Sequence, residues 1–239
     1  MAKNAVAVNE EKSIIGFLSQ TTGPIEGSGL GNENVTTDDL TIPRLDLIQQ
    51  LSPQLDPSNS KFIEDAKLGM IFNSLTGDVY DYVIVINLDY EAKFQVFKKR
   101  NFGGGFEGSF DTEAEALAYL DSKNLPRDQY DVSETGIHKC LLLNAEGQPD
   151  QPVLIYMSGS KFKVSREWNS QIRLRAPKSD RFATAWVMKA VGEKNKQGQP
   201  YQNFDISFAG FLPENLYTAA KETYLGFTGQ ASLPAPTEH

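Results

Sequence analysis

From Gly69 onward, apolar and polar residues fall in runs that predict strands. "GMIFNS" predicts a short strand, "LTGD" a glycine-containing turn, and "VYDYVIVINLDYEAKFQVFKK" a long β-rich run. Within that run Val83, Val85 and Asn87 fall on one face, and Ile84, Ile86 and Leu88 on the other. Apolar character on both faces predicts a strand buried in its middle. "DTEAEALAYLDS" reads as a helix, with Asp111 or Thr112 as cap and glutamates in the first turn, where the helix dipole favours them. "IHKCLLLN" and "PDQPVLIYM", on either side of "AEGQ", predict two strands around a turn. In "SKFKVSREWNSQIRLR" the spacing of Val164, Trp168 and Ile172 predicts a basic amphipathic helix. "RFATAWVMKAVGEKNKQGQPYQNFDISFAGF" predicts a hairpin with a polar tip, and "PENLYTAAKETYLGF" a final helix with Pro213 near its start. "LTIPRLDLIQQLSPQL" fits two periods: Leu45 and Leu47 alternate like a strand, while Leu45, Ile48 and Leu51 suit a helix.

These elements predict one domain over residues 41–225. Residues 1–40 lack periodicity and are rich in glycine, threonine and acids, apart from a short helix expected in "SIIGFLSQ" (13–20), so they predict a flexible acidic arm. Residues 226–239 predict a disordered tail. "GSGLG" in the arm is not a dinucleotide fingerprint, because no strand precedes it and no helix follows. Strands dominate without regular βαβ alternation. The fold class expected is therefore mainly β (α+β), an antiparallel barrel or sandwich core with inserted and C-terminal helices.

Composition narrows the function classes. The 239 residues are 40% hydrophobic and 23% charged, as in a globular protein, and no apolar run approaches the ~20 residues of a bilayer span. "MAKNAVAVNEEKS" has no long apolar stretch and is not expected to be a secretory signal. Cys140 is the only cysteine, so no intramolecular disulfide can form and a reducing compartment is expected. The net charge of −8 conceals a segregation. Met1–Ala66 holds four basic and ten acidic residues, whereas Lys161–Lys196 holds ten basic and three acidic. Such asymmetry suggests an anionic partner, or an acidic arm screening a basic face.

Catalytic patterns are sparse. His138 and His239 are the only histidines, too few for a zinc cluster, and no metal or other cofactor is expected. His138 and Cys140 point to the same face of a strand, where a base and nucleophile could meet, although a satisfied core or surface histidine is the expected reading. No Gly-Lys-Ser or Gly-Lys-Thr occurs, which excludes a Walker-type phosphate loop. Asp89 and Glu91 share a strand face, as metal-binding carboxylates of nucleases can.

Binding patterns are richer. "YEAKFQVFKKRNFGGGFEGSF" interleaves rings with Lys93, Lys98, Lys99 and Arg100, and places Phe102 and Phe106 beside three glycines. A second cluster sets Phe162, Trp168, Phe182 and Trp186 among Lys161, Lys163, Arg166, Arg173, Arg175, Lys178 and Arg181. Cations that track phosphates and rings on which bases stack are what a single-strand binder needs. Most rings at strand or helix spacing are nevertheless core, and Trp168 and Trp186 are expected inside more readily than at a base.

"IPRLDLIQQLSP", "AKLGMIFNSLTGDVY", the aromatic-basic strand into "GGGFEGSF", the acidic helix and "SREWNSQI" resemble, in that order, a group of tailed-bacteriophage proteins over residues 40 to 225. Some of these are single-stranded DNA-binding proteins of replication with an OB-like β core. The resemblance implies an OB-like barrel, no catalysis, and a protein that coats single strands in the cytoplasm of the infected cell during replication or recombination. The implied partners are single-stranded DNA, then replication proteins and further copies of the chain, with no membrane. The nucleic-acid site would comprise Lys93, Lys98, Lys99, Arg100, Phe102, Phe106, Lys161, Lys163, Arg166, Trp168, Arg173, Arg175 and Arg181. One departure is the C-terminus, "ASLPAPTEH", where Glu238 is the only acid and the strongly acidic tail of many single-strand binders is missing. The alternatives are a phage structural or protein-interaction module and, third, a metal-dependent nuclease using Asp89 and Glu91.

Overall fold

The computed structural model of the chain describes residues 41–228. The arm of residues 1–40, with its expected helix at 13–20, and the tail beyond 228 lie outside the described residues. The long β-rich run is a single strand, β4 (Tyr82–Lys98), and the main sheet is built around it. One edge of β4 pairs with β6 (Tyr130–Leu143) from Ile84 to Lys98. Its other edge is divided. Residues 82–86 pair with β8 (Thr184–Lys194), and residues 94–98 with β5 (Gly105–Phe110). β7 (Pro149–Ser158) adds outside β6, and β9 (Pro200–Phe211) outside β8, every pair antiparallel. A smaller antiparallel sheet consists of β1 (Leu45–Leu47), β2 (Ile71–Asn73) and β3 (Val79–Tyr80). In the ambiguous segment the strand period holds for Leu45 and Leu47, both buried, before a 3-10 turn at Pro53–Leu55.

The chain is mainly antiparallel β with three α-helices among the described residues, an α+β fold. Among the described residues the sheet does not close into the expected barrel. The main sheet runs β7-β6-β4-β8-β9 with β5 beside β4, and among the described residues no pairing joins β7 to β9. The reason lies in β4 itself. Val83 and Val85 enter a core with Leu45, Leu47, Ile71, Trp168 and Ile172, covered by helix α2 (Ser160–Arg175) and the small sheet. Ile86 and Leu88 enter a second core on the opposite face, with Phe182, Ala185 and Ala220, covered by helix α3 (Glu214–Phe227). A strand apolar on both faces needs a layer on each, whereas a small barrel wall faces solvent on one side. α3 also runs two residues past the expected domain boundary at 225.

Helix α1 (Glu113–Ser122) closes the far end of β4, β5 and β6 over a third cluster of Val96, Ala116, Leu120 and Tyr130. Thr112 is its cap: the Thr112 hydroxyl accepts a hydrogen bond from the Glu115 N–H. β6 begins seven residues before the "IHKC" run, because its polar first half pairs with the overlong end of β4.

Candidate nucleic-acid interface

The glycine run turns the β4–β5 hairpin. After a 3-10 turn at Arg100–Phe102, Gly103, Gly104 and Gly105 take φ of 109°, 67° and 131°. Any residue with a Cβ is strained there, so the run serves the backbone. Just below it the register shifts: Phe97 pairs with Phe106 and Val96 with Gly108, which leaves Glu107 as an extra residue. Phe97, Phe102 and Phe106 remain 36%, 40% and 58% exposed. The Phe97 and Phe106 ring centroids lie 5.5 Å apart. Lys98 and Arg100, beside them, have no carboxylate in salt-bridge range among the described residues. Lys99 differs: its Nζ donates to the Asp128 carbonyl at 2.7 Å and lies 3.8 Å from Asp131. Lys93 is ion-paired with Asp111 and with Glu91, and the Asp111 hydrogen bond holds its pKa above the ordinary lysine value.

Helix α2 sorts the second cluster by face. Trp168 is 1% exposed, stacked on His138 with centroids 4.5 Å apart, so it cannot meet a base. The periodicity that predicts the helix also places Trp168 on its buried stripe. Phe182 and Trp186 are likewise core. Lys161 lies at the start of the helix, where it bonds Asp46 at 2.6 Å and sits over the Phe204 ring. Lys163 and Arg166 are exposed, the first 3.7 Å from Glu167 and the second 3.6 Å from Glu134. Arg173 and Arg175 are exposed at the other end, Arg175 over the Phe208 ring at 4.3 Å. Arg181 turns inward from the following loop: its Nε donates to Asn87 at 2.7 Å and its Nη2 to Asn169.

A cleft of about 700 Å³ receives one cation from each cluster. Arg100 from the hairpin and Lys161 from α2 both line it, together with Lys61, Gln49, Gln54 and Pro200. Asp46 is the one acid in its wall among the described residues, and it is paired with Lys161. Lys61 was not among the candidates; no local pattern marks it, and only the packing of the 49–61 segment brings it here. Arg173 and Arg175 do not reach this cleft. They lie about 20 Å from Lys161 along the helix, at 1.5 Å per residue.

Beneath α2 lies a buried polar relay. Asn87 Nδ2 donates to His138 Nδ1 at 2.9 Å, and His138 Nε2 lies 2.8 Å from the Ser165 hydroxyl. Because Arg181 donates to Asn87 Oδ1, the amide must present its nitrogen to the imidazole. The imidazole proton therefore sits on Nε2 and is donated to Ser165. Ser165, His138 and Asn87 have the spacing of a nucleophile, base and orienting residue, but that proton blocks the base, and all three are buried. Burial, then the Arg181 charge, lowers the His138 pKa to about 3, and burial pushes the Cys140 thiol up. His138 is thus a hydrogen-bonded core residue. A Cβ on Gly136 would lie 2.5 Å from Ser165 Oγ, so glycine is what lets α2 approach this closely. The acids weighed for a nuclease are tied to lysines, Asp89 to Lys139 at 3.0 Å and Glu91 to Lys93 at 3.8 Å. No group of three or more metal-ligating side chains converges among the described residues.

Among the described residues the fold is an open antiparallel sheet layered by helices, with a basic aromatic hairpin at one end. Residues 10–232 match the model of the Pam3 phage gp34-like protein family, and the chain belongs to that bacteriophage family. No curated protein and no solved structure matches it. No helix among the described residues is long and apolar enough to cross a membrane.

Proposed function

We propose that the chain is a non-catalytic single-stranded DNA-binding protein of phage replication or recombination, acting in the cytoplasm of the infected cell. One observation carries this reading. The β4–β5 hairpin holds three partly exposed phenylalanines beside Lys98 and Arg100, and Arg100 opens into the cleft that also receives Lys161 and Lys61. Rings of this kind stack on any base, and the cations take successive phosphates, which gives affinity without sequence preference. The glycine backbone leaves room for the strand to approach. Lys93, Lys99 and Arg181 bind within the protein and contribute little to such an interface, and Lys163 and Arg166 do not line its cleft. Fluorescence titration of labelled oligo-dT at ~50 mM salt tests the proposal: saturable binding that weakens with added salt is expected, and absence of binding refutes it.

Exposed Leu174 and Phe211 beside Arg173 and Arg175 favour a second reading, a surface for an acidic protein of the phage. Replacing Arg173 and Arg175 with alanine separates the two. Loss of a protein partner at unchanged oligo-dT affinity supports the interaction module, and loss of DNA affinity supports the longer nucleic-acid face.

A further inference from the structure

Arg181 has more donors than the fold uses. Its Nε–H goes to Asn87 and one Nη2–H to Asn169, and its guanidinium lies 5.5 Å from the centroid of the Tyr90 ring. The remaining guanidinium N–H groups have no partner among the described residues. No carboxylate lies in salt-bridge range of it there either. Burial pulls its pKa below the ordinary guanidinium value, and the opposing pull of Cys140, Asp89 and Tyr90 does not offset it. A half-buried charge without a counterion is costly unless something supplies one.

The space beside it is suited to an anion. Arg181 lines a cleft of about 360 Å³ with Lys221, Asp89, Asp180 and Tyr224. Asp89 is ion-paired with Lys139 at 3.0 Å; Asp180 accepts from the neutral Tyr217 hydroxyl and keeps its charge, so two cations of the cleft face one uncompensated acid. Lys221, like Arg181, has no acid in range among the described residues. The relay fixes the guanidinium in place, since Ser165 orients His138, His138 orients Asn87, and Asn87 with Asn169 holds Arg181. A planar fork held rigidly at the rim of a cleft is matched to tetrahedral oxyanions. We infer that this cleft binds a phosphate group, either free phosphate or the terminal phosphomonoester of a nucleotide strand, through Arg181 and Lys221. The inference does not rest on the single-strand reading, because the cleft lies apart from the hairpin and shares no lining residue with the cleft of Arg100.

The test is calorimetric titration of the full chain with sodium phosphate at constant ionic strength, balanced with chloride. Saturable binding is expected, weakened about tenfold or more in Lys221→Ala, the worth of one charge-assisted contact. Lys221 is exposed on α3, so this variant leaves the fold intact. Arg181→Lys, checked by circular dichroism, is expected to bind more weakly still because it lacks the fork. Competition against bound phosphate by 5′-phosphorylated oligo-dT, but not by its unphosphorylated twin, identifies a strand end as the source; competition by neither identifies free phosphate. No saturation up to about 10 mM phosphate, or full binding retained in Lys221→Ala, overturns the inference. Failure of unphosphorylated oligo-dT to bind the protein at all would refute the single-strand proposal and leave this one standing.

Discussion

His138 makes the stability of this protein sensitive to mild acid, and the size of the effect follows from the relay. In the native state Nδ1 accepts from Asn87, so a second proton would set two donors face to face. Turning the Asn87 amide to relieve this would break its bond from Arg181, and the Arg181 charge opposes an imidazolium in any case. The native pKa is lowered to about 3 from the ordinary 6.5, so between those values the unfolded chain binds a proton that the native chain does not. Stability from this group is full above the unfolded pKa and declines as the pH falls. The decline is about 1.4 kcal/mol per pH unit while one proton separates the states, or roughly 2 kcal/mol between pH 6.5 and 5. Urea denaturation at a series of pH values from 7.5 to 5, for the wild type and for His138→Gln, measures it. The variant starts less stable, and its curve of stability against pH is flatter by one proton. His239 is common to both proteins and cancels in the comparison. Equal slopes, or a His138 imidazole resonance, assigned by its absence in His138→Gln, that titrates near 6.5 in the native protein, would refute the assignment of a neutral, Nε2-protonated His138.

Other outcomes follow from the same contacts. Phe106→Ala removes a ring that is mostly in solvent, so thermal stability is expected to change little while oligo-dT affinity falls by ~1–3 kcal/mol, read by anisotropy. Trp168→Ala leaves a large void between α2 and the sheet and is expected to cost about 3–5 kcal/mol in denaturant titrations; any loss of binding would then follow the loss of folded protein. Gly136→Ala drives a methyl into Ser165 and Tyr90, and is expected to destabilise more than Gly147→Ser, whose side chain meets open space, despite the positive φ of Gly147.

Local periodicity carried much of the fold. Val164, Trp168 and Ile172 marked α2, and the two-faced apolar run marked β4 as an interior strand. The barrel expectation overlooked what that run demands: Ile86 and Leu88 need their own covering layer, supplied by a helix more than 120 residues away. The start of β6 was illegible: residues 130–136 are mostly polar, with only Tyr130 and Val132 apolar, and pair along the extended end of β4. At the site, the exposed hairpin rings were legible because glycines isolate them from the core. The inward turn of Arg181 was not, since its partners Asn87 and Asn169 come from a strand and a helix that meet only in the folded chain. The approach of Arg100 to Lys161 across one cleft is likewise a product of long-range packing, although the charge of both segments hinted at a common partner.

Single-strand binding through the hairpin makes oligo-dT affinity dependent on salt. Lys61, Lys98 and Arg100 have no acid in range among the described residues, and three phosphate contacts predict a slope of log affinity against log salt near −2, at about −0.7 per contact. Alanine at Lys98 and Arg100 together should flatten that slope by about two thirds. Binding whose slope is unchanged by the double variant, or no binding at ~50 mM salt, would contradict the account.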